Sequence, residues 1–253
     1  MGCSGSKVSK RVKKPRLKPI SGPSYDYSQN GKNWKYKASG RRQTPINIVT
    51  DDCVAQDSNI VEVDVNDVEG AEVIYNHNQL QVNYDQSTLK LTKGDKVTNW
   101  KALQFHFHAP CEHTIDSVQH DVEFHLVHVG VDEPGQLLVL GIMFEKEEGA
   151  APCEFIESLK LENLPAACNN LNLKINDMVS KCVRGQKFNY PGSLTTPPCS
   201  EIVEWVLVKE TLKVPPEQIK LFTRLWAENP NFAGGKGNNR CLQNLAGRTV
   251  NLI

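Results

Sequence analysis

The segment QFHFHAPCEH, residues 104 to 113, sets two histidines two positions apart with a phenylalanine before each. In an extended strand successive side chains point to opposite faces, so Gln104, His106 and His108 share one face while Phe105 and Phe107 share the other. A second stretch, DVEFHLVHVG at 121–130, repeats the pattern, with Glu123, His125 and Val127 on one face and Phe124, Leu126 and His128 on the other. If these two strands are antiparallel neighbours, His106, His108 and His125 converge. Three neutral imidazoles around one point form a zinc site whose fourth position stays open for water. Such histidines need a partner for the second ring nitrogen, and Gln104 and Glu123 each stand two residues upstream on the same face. A lone strand histidine is more often a hydrogen-bonded core or surface residue. Three in matched positions reverse that preference, whereas His113, His120 and His128 read as structural or exposed.

Elements able to hold such a site are legible along the chain. Segments 59–85, 87–93, 102–109, 121–130, 136–145 and 201–210 are rich in Val, Leu, Ile and aromatic residues and read as strands. Helical signals are fewer, at 152–160, 165–172 and 215–226, the last opened by Pro and Glu. The expected fold is mainly β (α+β): a single domain, residues 19–253, on a large, mostly antiparallel central sheet with short peripheral helices. The 253 residues are 39% hydrophobic, enough to fill a core, and the longest apolar run, near LLVLGIMF at 137–144, is far too short to cross a bilayer as a helix.

A net charge of zero conceals an asymmetry. Of 29 Lys and Arg, seven lie in residues 1–18, which hold no acid, leaving 22 bases against 29 acids in the rest. MGCSGSK matches the myristoylation pattern with Gly2 as acceptor and Ser6 in place, and the adjacent Cys3 offers a palmitoylation site. One myristoyl chain binds a membrane only marginally, and the second acyl site and basic run supply the additional attraction to anionic lipid. Residues 1–18 are therefore expected to anchor the protein on the cytoplasmic face of a membrane, with the plasma membrane the first choice. The alternatives are a solvated basic tail, a nuclear-localisation patch or a nucleic-acid arm. The tail has no aromatic residue for base stacking and the body is acidic, so no nucleic-acid partner is expected. The eight cysteines follow no apolar leader and read as mostly free thiols.

Over residues 24–253 the chain resembles the α-class carbonic anhydrases, in QTPINI (43–48), LQFHFHAPCEHT (103–114), DVEFHLVHVG (121–130), LLVLGI (137–142), YPGSLTTPPCSEIVEW (190–205) and NRCLQNLAGRTV (239–250). HFHAPCEH is more similar to the bacterial, plant and protist branch than to the vertebrate one. The resemblance implies zinc bound by His106, His108 and His125, and reversible hydration of CO2 to bicarbonate by zinc-bound hydroxide. It implies that Thr195 accepts a hydrogen bond from that hydroxide, that Glu112 takes the threonine proton and that Thr196 helps place bicarbonate. Val127, Val139, Leu194, Val203 and Trp205 would form the apolar wall for CO2. Gln104, Glu123 and the backbone of Asn238 would support the zinc histidines, and Tyr27 would join the water network.

Two departures leave alternatives open. The family's shuttle histidine corresponds to Asn78, with His77 one residue before it, which implies either a slower proton-limited enzyme or a shuttle displaced to His77. Cys111 replaces a common serine beside Glu112, either as an oxidant-sensitive thiol or as a plain substitution. Cys199 stands where secreted relatives have half a disulfide, but 35–45 contains no partner cysteine. The rival reading is a non-catalytic carbonic-anhydrase-like binding or scaffold module, and a zinc esterase is a third. A transporter or channel partner is suggested by the tail alone.

Overall fold

The computed structural model describes residues 25–35, 40–75, 78–164, 168–227 and 237–253. Gly2, Cys3, the 1–18 tail and His77 lie outside the described residues. Fifteen strands are described: β1 (Asn47–Ile48), β2 (Val54–Ala55), β3 (Ile60–Val65), β4 (Val68–Tyr75), β5 (Leu80–Asn83), β6 (Ser87–Lys93), β7 (Lys96–His108), β8 (Thr114–Ile115), β9 (Val122–Gly130), β10 (Leu137–Lys146), β11 (Cys168–Leu173), β12 (Lys187–Gly192), β13 (Val203–Val208), β14 (Leu212–Val214) and β15 (Asn251–Leu252). Three α-helices accompany them: α1 (Glu154–Ser158), α2 (Ile175–Cys182) and α3 (Pro216–Ala227).

Thirteen strands form one sheet along the path β11-β4-β5-β7-β9-β10-β13-β12-β15-β2, with β6, β3 and β14 attached beside it. Most pairings are antiparallel, and β10 to β13, β10 to β14 and β15 to β2 are parallel. The central strands β9 and β10 are buried on both faces; β10 is correspondingly almost wholly apolar, whereas β9 also carries Glu123, His125 and His128. One face packs Phe105, Phe107, Phe124, Leu126, Leu140 and Phe144 against α1 and α3, giving the larger core cluster. The other face carries a smaller cluster that includes Val127, Val139, Tyr190, Val203 and Trp205.

A β-bulge in β7 sets the phase of the histidines. Ala102 pairs with His128, but Gln104 pairs with Val127, so Leu103 is the extra residue and its side chain is exposed. Before the bulge the even-numbered Trp100 and Ala102 are buried; after it Phe105 and Phe107 take over the core face. Without that one-residue shift His106 and His108 would point into the aromatic core, because the side-chain period is two.

The helix expected at 165–172 is not found: residues 168–173 form strand β11, paired with β4 through two register shifts. Alternation of Leu171 and Leu173 suits an edge strand, and Asn170, at φ +61°, interrupts any helical run. Helix α2 was not anticipated. Its Ile175, Met178 and Val179 face inward at helical spacing, a pattern too short to stand out in sequence. No helix among the described residues is long and apolar enough to cross a membrane.

Candidate metal centre and active site

His106 pairs directly with His125 across β7 and β9, and His108 pairs with Glu123. The three imidazoles of His106, His108 and His125 have ring centroids 4.7–5.1 Å apart and are buried. Each ring has one nitrogen committed to an acceptor. His106 Nδ1 lies 2.9 Å from Gln104 Oε1, His108 Nδ1 donates to the Asn238 carbonyl at 2.7 Å, and His125 Nε2 donates to Glu123 Oε1 at 2.7 Å. These partners assign the tautomers, leaving lone pairs on His106 Nε2, His108 Nε2 and His125 Nδ1.

The free nitrogens face one another. His125 Nδ1 and His106 Nε2 are 3.3 Å apart, and His108 Nε2 is buried with no hydrogen-bond partner. Lone pairs so placed repel unless a cation sits among them, and the three donor atoms all lie within 4.8 Å of each other. Burial, the largest cause for each ring, lowers the pKa of His106 well below its usual value, that of His108 to about 4 and that of His125. The rings are therefore neutral near pH 7, the form that ligates metal. Three buried imidazoles suit zinc among biological cations. A second grouping, His113 with Glu123 and His125, is already closed by its own hydrogen bonds, because Glu123 Oε1 also accepts from His113 Nδ1 at 2.6 Å.

Glu123 is the electrostatic anchor of the cluster. Its Oε2 accepts the backbone N–H groups of Glu112 and His113 at 2.8 and 2.9 Å. Burial alone would raise its pKa, but His113 and His125 outweigh burial and hold it well below the usual carboxylate value.

Glu112 lies on the loop after β7. Its Oε1 accepts the Arg240 backbone N–H at 2.8 Å, and its Oε2 is 3.4 Å from His108 Nε2. Burial pushes its pKa up to about 7, while the Thr195 side chain acts in the opposite direction as a hydrogen-bond partner. Thr195 is buried on the loop after β12, which closes on itself through Leu194 N–H to Ser200 O at 3.0 Å and Cys199 N–H to Thr196 O at 2.8 Å.

The apolar wall follows from register. Val127 pairs with Val139, and Val139 with Trp205, so three strands contribute one row. Val203 stands two residues before Trp205 on the same face, Leu194 packs against this cluster, and the Trp205 ring lies 4.9 Å from that of His125.

Several placements could not be read from sequence. Tyr27 is buried, with its ring 5.4 Å from Trp34 and 5.8 Å from Tyr25, whose hydroxyl pKa burial pushes up to about 12 with Tyr27 and Thr196 acting the other way. His113 sits beside the imidazole cluster, linking Glu123 to the Tyr190 hydroxyl at 2.6 Å. The Asn238 side chain stitches Ala109 N–H, Phe107 O and Asn78 O together, beyond the expected backbone role. Cys111 is wholly buried and burial pushes its thiol pKa well up, which favours a plain substitution over a reactive thiol. Cys53, Cys111, Cys153, Cys182, Cys199 and Cys241 form no disulfide.

The family model described as eukaryotic-type carbonic anhydrase matches residues 28–253. Alpha carbonic anhydrase 3 of Arabidopsis thaliana is 30% identical over 227 residues, spanning 87% of this chain and 76% of its own. A carbonic anhydrase of Neisseria gonorrhoeae is 30% identical over 213 residues, spanning 84% and 78%. Among solved structures, a carbonic anhydrase from Chlamydomonas reinhardtii in complex with acetazolamide gives a TM-score of 0.71 at 33% identity, covering 85% of this chain and 92% of that one. A halotolerant carbonic anhydrase from Dunaliella salina gives 0.73 at 26% identity, covering 92% and 99%.

Proposed function

The chain belongs to the eukaryotic-type carbonic anhydrase family, whose activity is the reversible hydration of CO2, and from that premise we propose a zinc enzyme held at a membrane by its N-terminus. The observation that carries the zinc assignment is the inward convergence of three imidazole nitrogens whose outer nitrogens are all engaged. Zinc on His106, His108 and His125 would supply a Lewis acid that lowers the pKa of water from 15.7 to about 7.

The chain's own residues complete the site. Glu112 accepts the Thr195 hydroxyl proton, so the threonine oxygen is left to accept from the attacking water or hydroxide and turns its lone pair toward carbon. A dication near His108 would draw Glu112, pushed up to about 7 by burial, back toward its ionised form. Val127, Val139, Leu194, Val203 and Trp205 hold a nonpolar gas within attack distance, and Thr196 receives the bicarbonate oxygen. The proton leaves in a separate step, through the Tyr25 and Thr196 hydroxyls and either His77 or buffer.

Gly2 and Cys3, acylated and followed by seven bases, place this activity on the cytoplasmic face of a membrane with anionic lipid, the plasma membrane first, beside a transporter or channel that moves bicarbonate or protons. Stopped-flow CO2 hydration, with zinc, after chelation and with His125→Ala, tests the chemistry. Acceleration must require zinc and vanish in the variant. A fluorescent fusion tests the address: Gly2→Ala should release it into the cytosol, and retention on the membrane would refute the acyl anchor.

A further inference from the structure

Thr195 and Glu112 must meet, yet they come from different loops, one after β12 and one after β7, and no backbone hydrogen bond directly joins the two loops among the described residues. Gln43, on the segment before β1, touches the supports of both. Its Nε2 donates to the Cys199 carbonyl at 3.1 Å, within the loop that carries Thr195. The same nitrogen donates to Glu201 Oε1 at 2.9 Å, at the end of that loop. On its other side, Gln43 Oε1 accepts from Arg240 Nη2 at 2.9 Å.

Arg240 carries the connection to Glu112. Its Nη1 donates to the Thr44 carbonyl at 2.6 Å, its guanidinium lies over the Trp34 ring at 5.8 Å, and its backbone N–H holds Glu112 Oε1 at 2.8 Å. Arg240 is buried, and its guanidinium donates to the Thr44 carbonyl and the Gln43 amide oxygen and lies over the Trp34 ring, so neutral oxygens and an aromatic face surround its charge. The far end is fixed too: Glu201 accepts the Arg42 backbone N–H at 2.7 Å and packs so closely on Gly40 that a Cβ there would stand 2.2 Å from the carboxylate.

We propose that Gln43 is a positioning residue for CO2 hydration: through Cys199 and Glu201 on one side and Arg240 on the other, its buried amide sets the distance between Thr195 and Glu112. The proposal rests on the roles given above to those two residues. A primary amide suits the task because it donates and accepts in one plane, and the site uses both capacities. A carboxylate at 43 would face Glu201, and a shorter or apolar side chain would leave Arg240 and Glu201 without their shared partner.

The test uses the full-length, zinc-loaded protein and Gln43→Met, which keeps the volume and removes the three hydrogen bonds. kcat/KM ends with bicarbonate formation, whereas proton exit to buffer enters only kcat. A misplaced attack geometry should therefore lower kcat/KM by roughly tenfold to a hundredfold with the buffer dependence of kcat and the zinc content unchanged. In a Glu112→Gln background the same substitution should lower kcat/KM by less than about twofold, because the group being positioned is already gone. Should Gln43→Met fail to fold, Glu201→Ala, which removes one support and leaves Gln43 in place, should show the same selective loss at roughly threefold. Wild-type kcat/KM in the folded variants, or an undiminished loss in the Glu112→Gln background, overturns the positioning role alone. Wild-type kcat/KM in Glu112→Gln itself overturns the role of Glu112 and, with it, the proposal.

Discussion

Glu123 reaches His125 Nε2 at 2.7 Å from two residues upstream on the same strand, and the same oxygen holds His113 Nδ1 at 2.6 Å. The contact fixes which nitrogen of His125 faces the other two imidazoles and makes that nitrogen more basic. Glu123→Gln keeps the shape but removes the charge and turns an amide toward donors. Zinc affinity, measured by competition with a chromophoric chelator, should fall about 10- to 100-fold. An unchanged zinc Kd would show that Glu123 serves folding and not the metal.

Much of this centre could be read in advance because it is local. Gln104, His106 and His108 share a face by alternation, and so do Glu123, His125 and Val127, so one assumed pairing brings them together. What sequence could not supply was the bulge at Leu103, which changes the phase of β7, or any contact that bridges distant loops. His113 is structural, as expected, but its partner Tyr190 lies 77 residues away, and Arg240 and Gln43 meet across 197 residues. Those residues lie inside or beside conspicuous motifs, but a string does not show which side chain turns inward. The helix expected at 165–172 failed for a similar reason: pairing of β11 with β4 overrode a weak local preference.

Thr195→Val tests orientation of the attacking group with little change in shape. The hydroxyl whose interaction lowers the Glu112 pKa is lost while the three converging imidazoles are untouched. We expect kcat/KM for CO2 to fall by roughly 10²-fold at unchanged zinc content, with Thr195→Ser restoring much of it. Wild-type kcat/KM in Thr195→Val would rule out this role.

His128 supplies a pH dependence independent of the metal, since it lies on the opposite face of β9, in hydrogen-bond contact with Ser87 at 3.3 Å and Leu126 O. Burial lowers its pKa to about 4 from 6.5. The unfolded chain therefore binds a proton that the folded chain refuses between these values, and stability falls as pH drops from about 6.5 to 4, levelling off below. The difference corresponds to about 3 kcal/mol. Urea unfolding at pH 7 and pH 4.5 should show a shallower acid loss in His128→Gln than in the parent, and identical slopes would exclude His128 as a source.

Gly237 occupies φ +105°, where a Cβ would stand 2.1 Å from the Ala109 carbonyl oxygen and 2.6 Å from Pro110 Cδ. Neither obstacle is a flexible chain end, so Gly237→Ala must displace backbone. The next residue, Asn238, holds His108 Nδ1 through its carbonyl and Ala109 N–H through its side chain, and both contacts would lengthen. The substitution should therefore cost about 2–4 kcal/mol of folding stability in the zinc-free protein, the sum of backbone strain and overpacking. It should also weaken zinc binding, since His108 loses the acceptor that orients it. Denaturant unfolding of the chelator-treated protein and a zinc titration measure the two effects separately. A stable variant with normal zinc affinity would mean that the 237–238 segment is not what holds His108 in place.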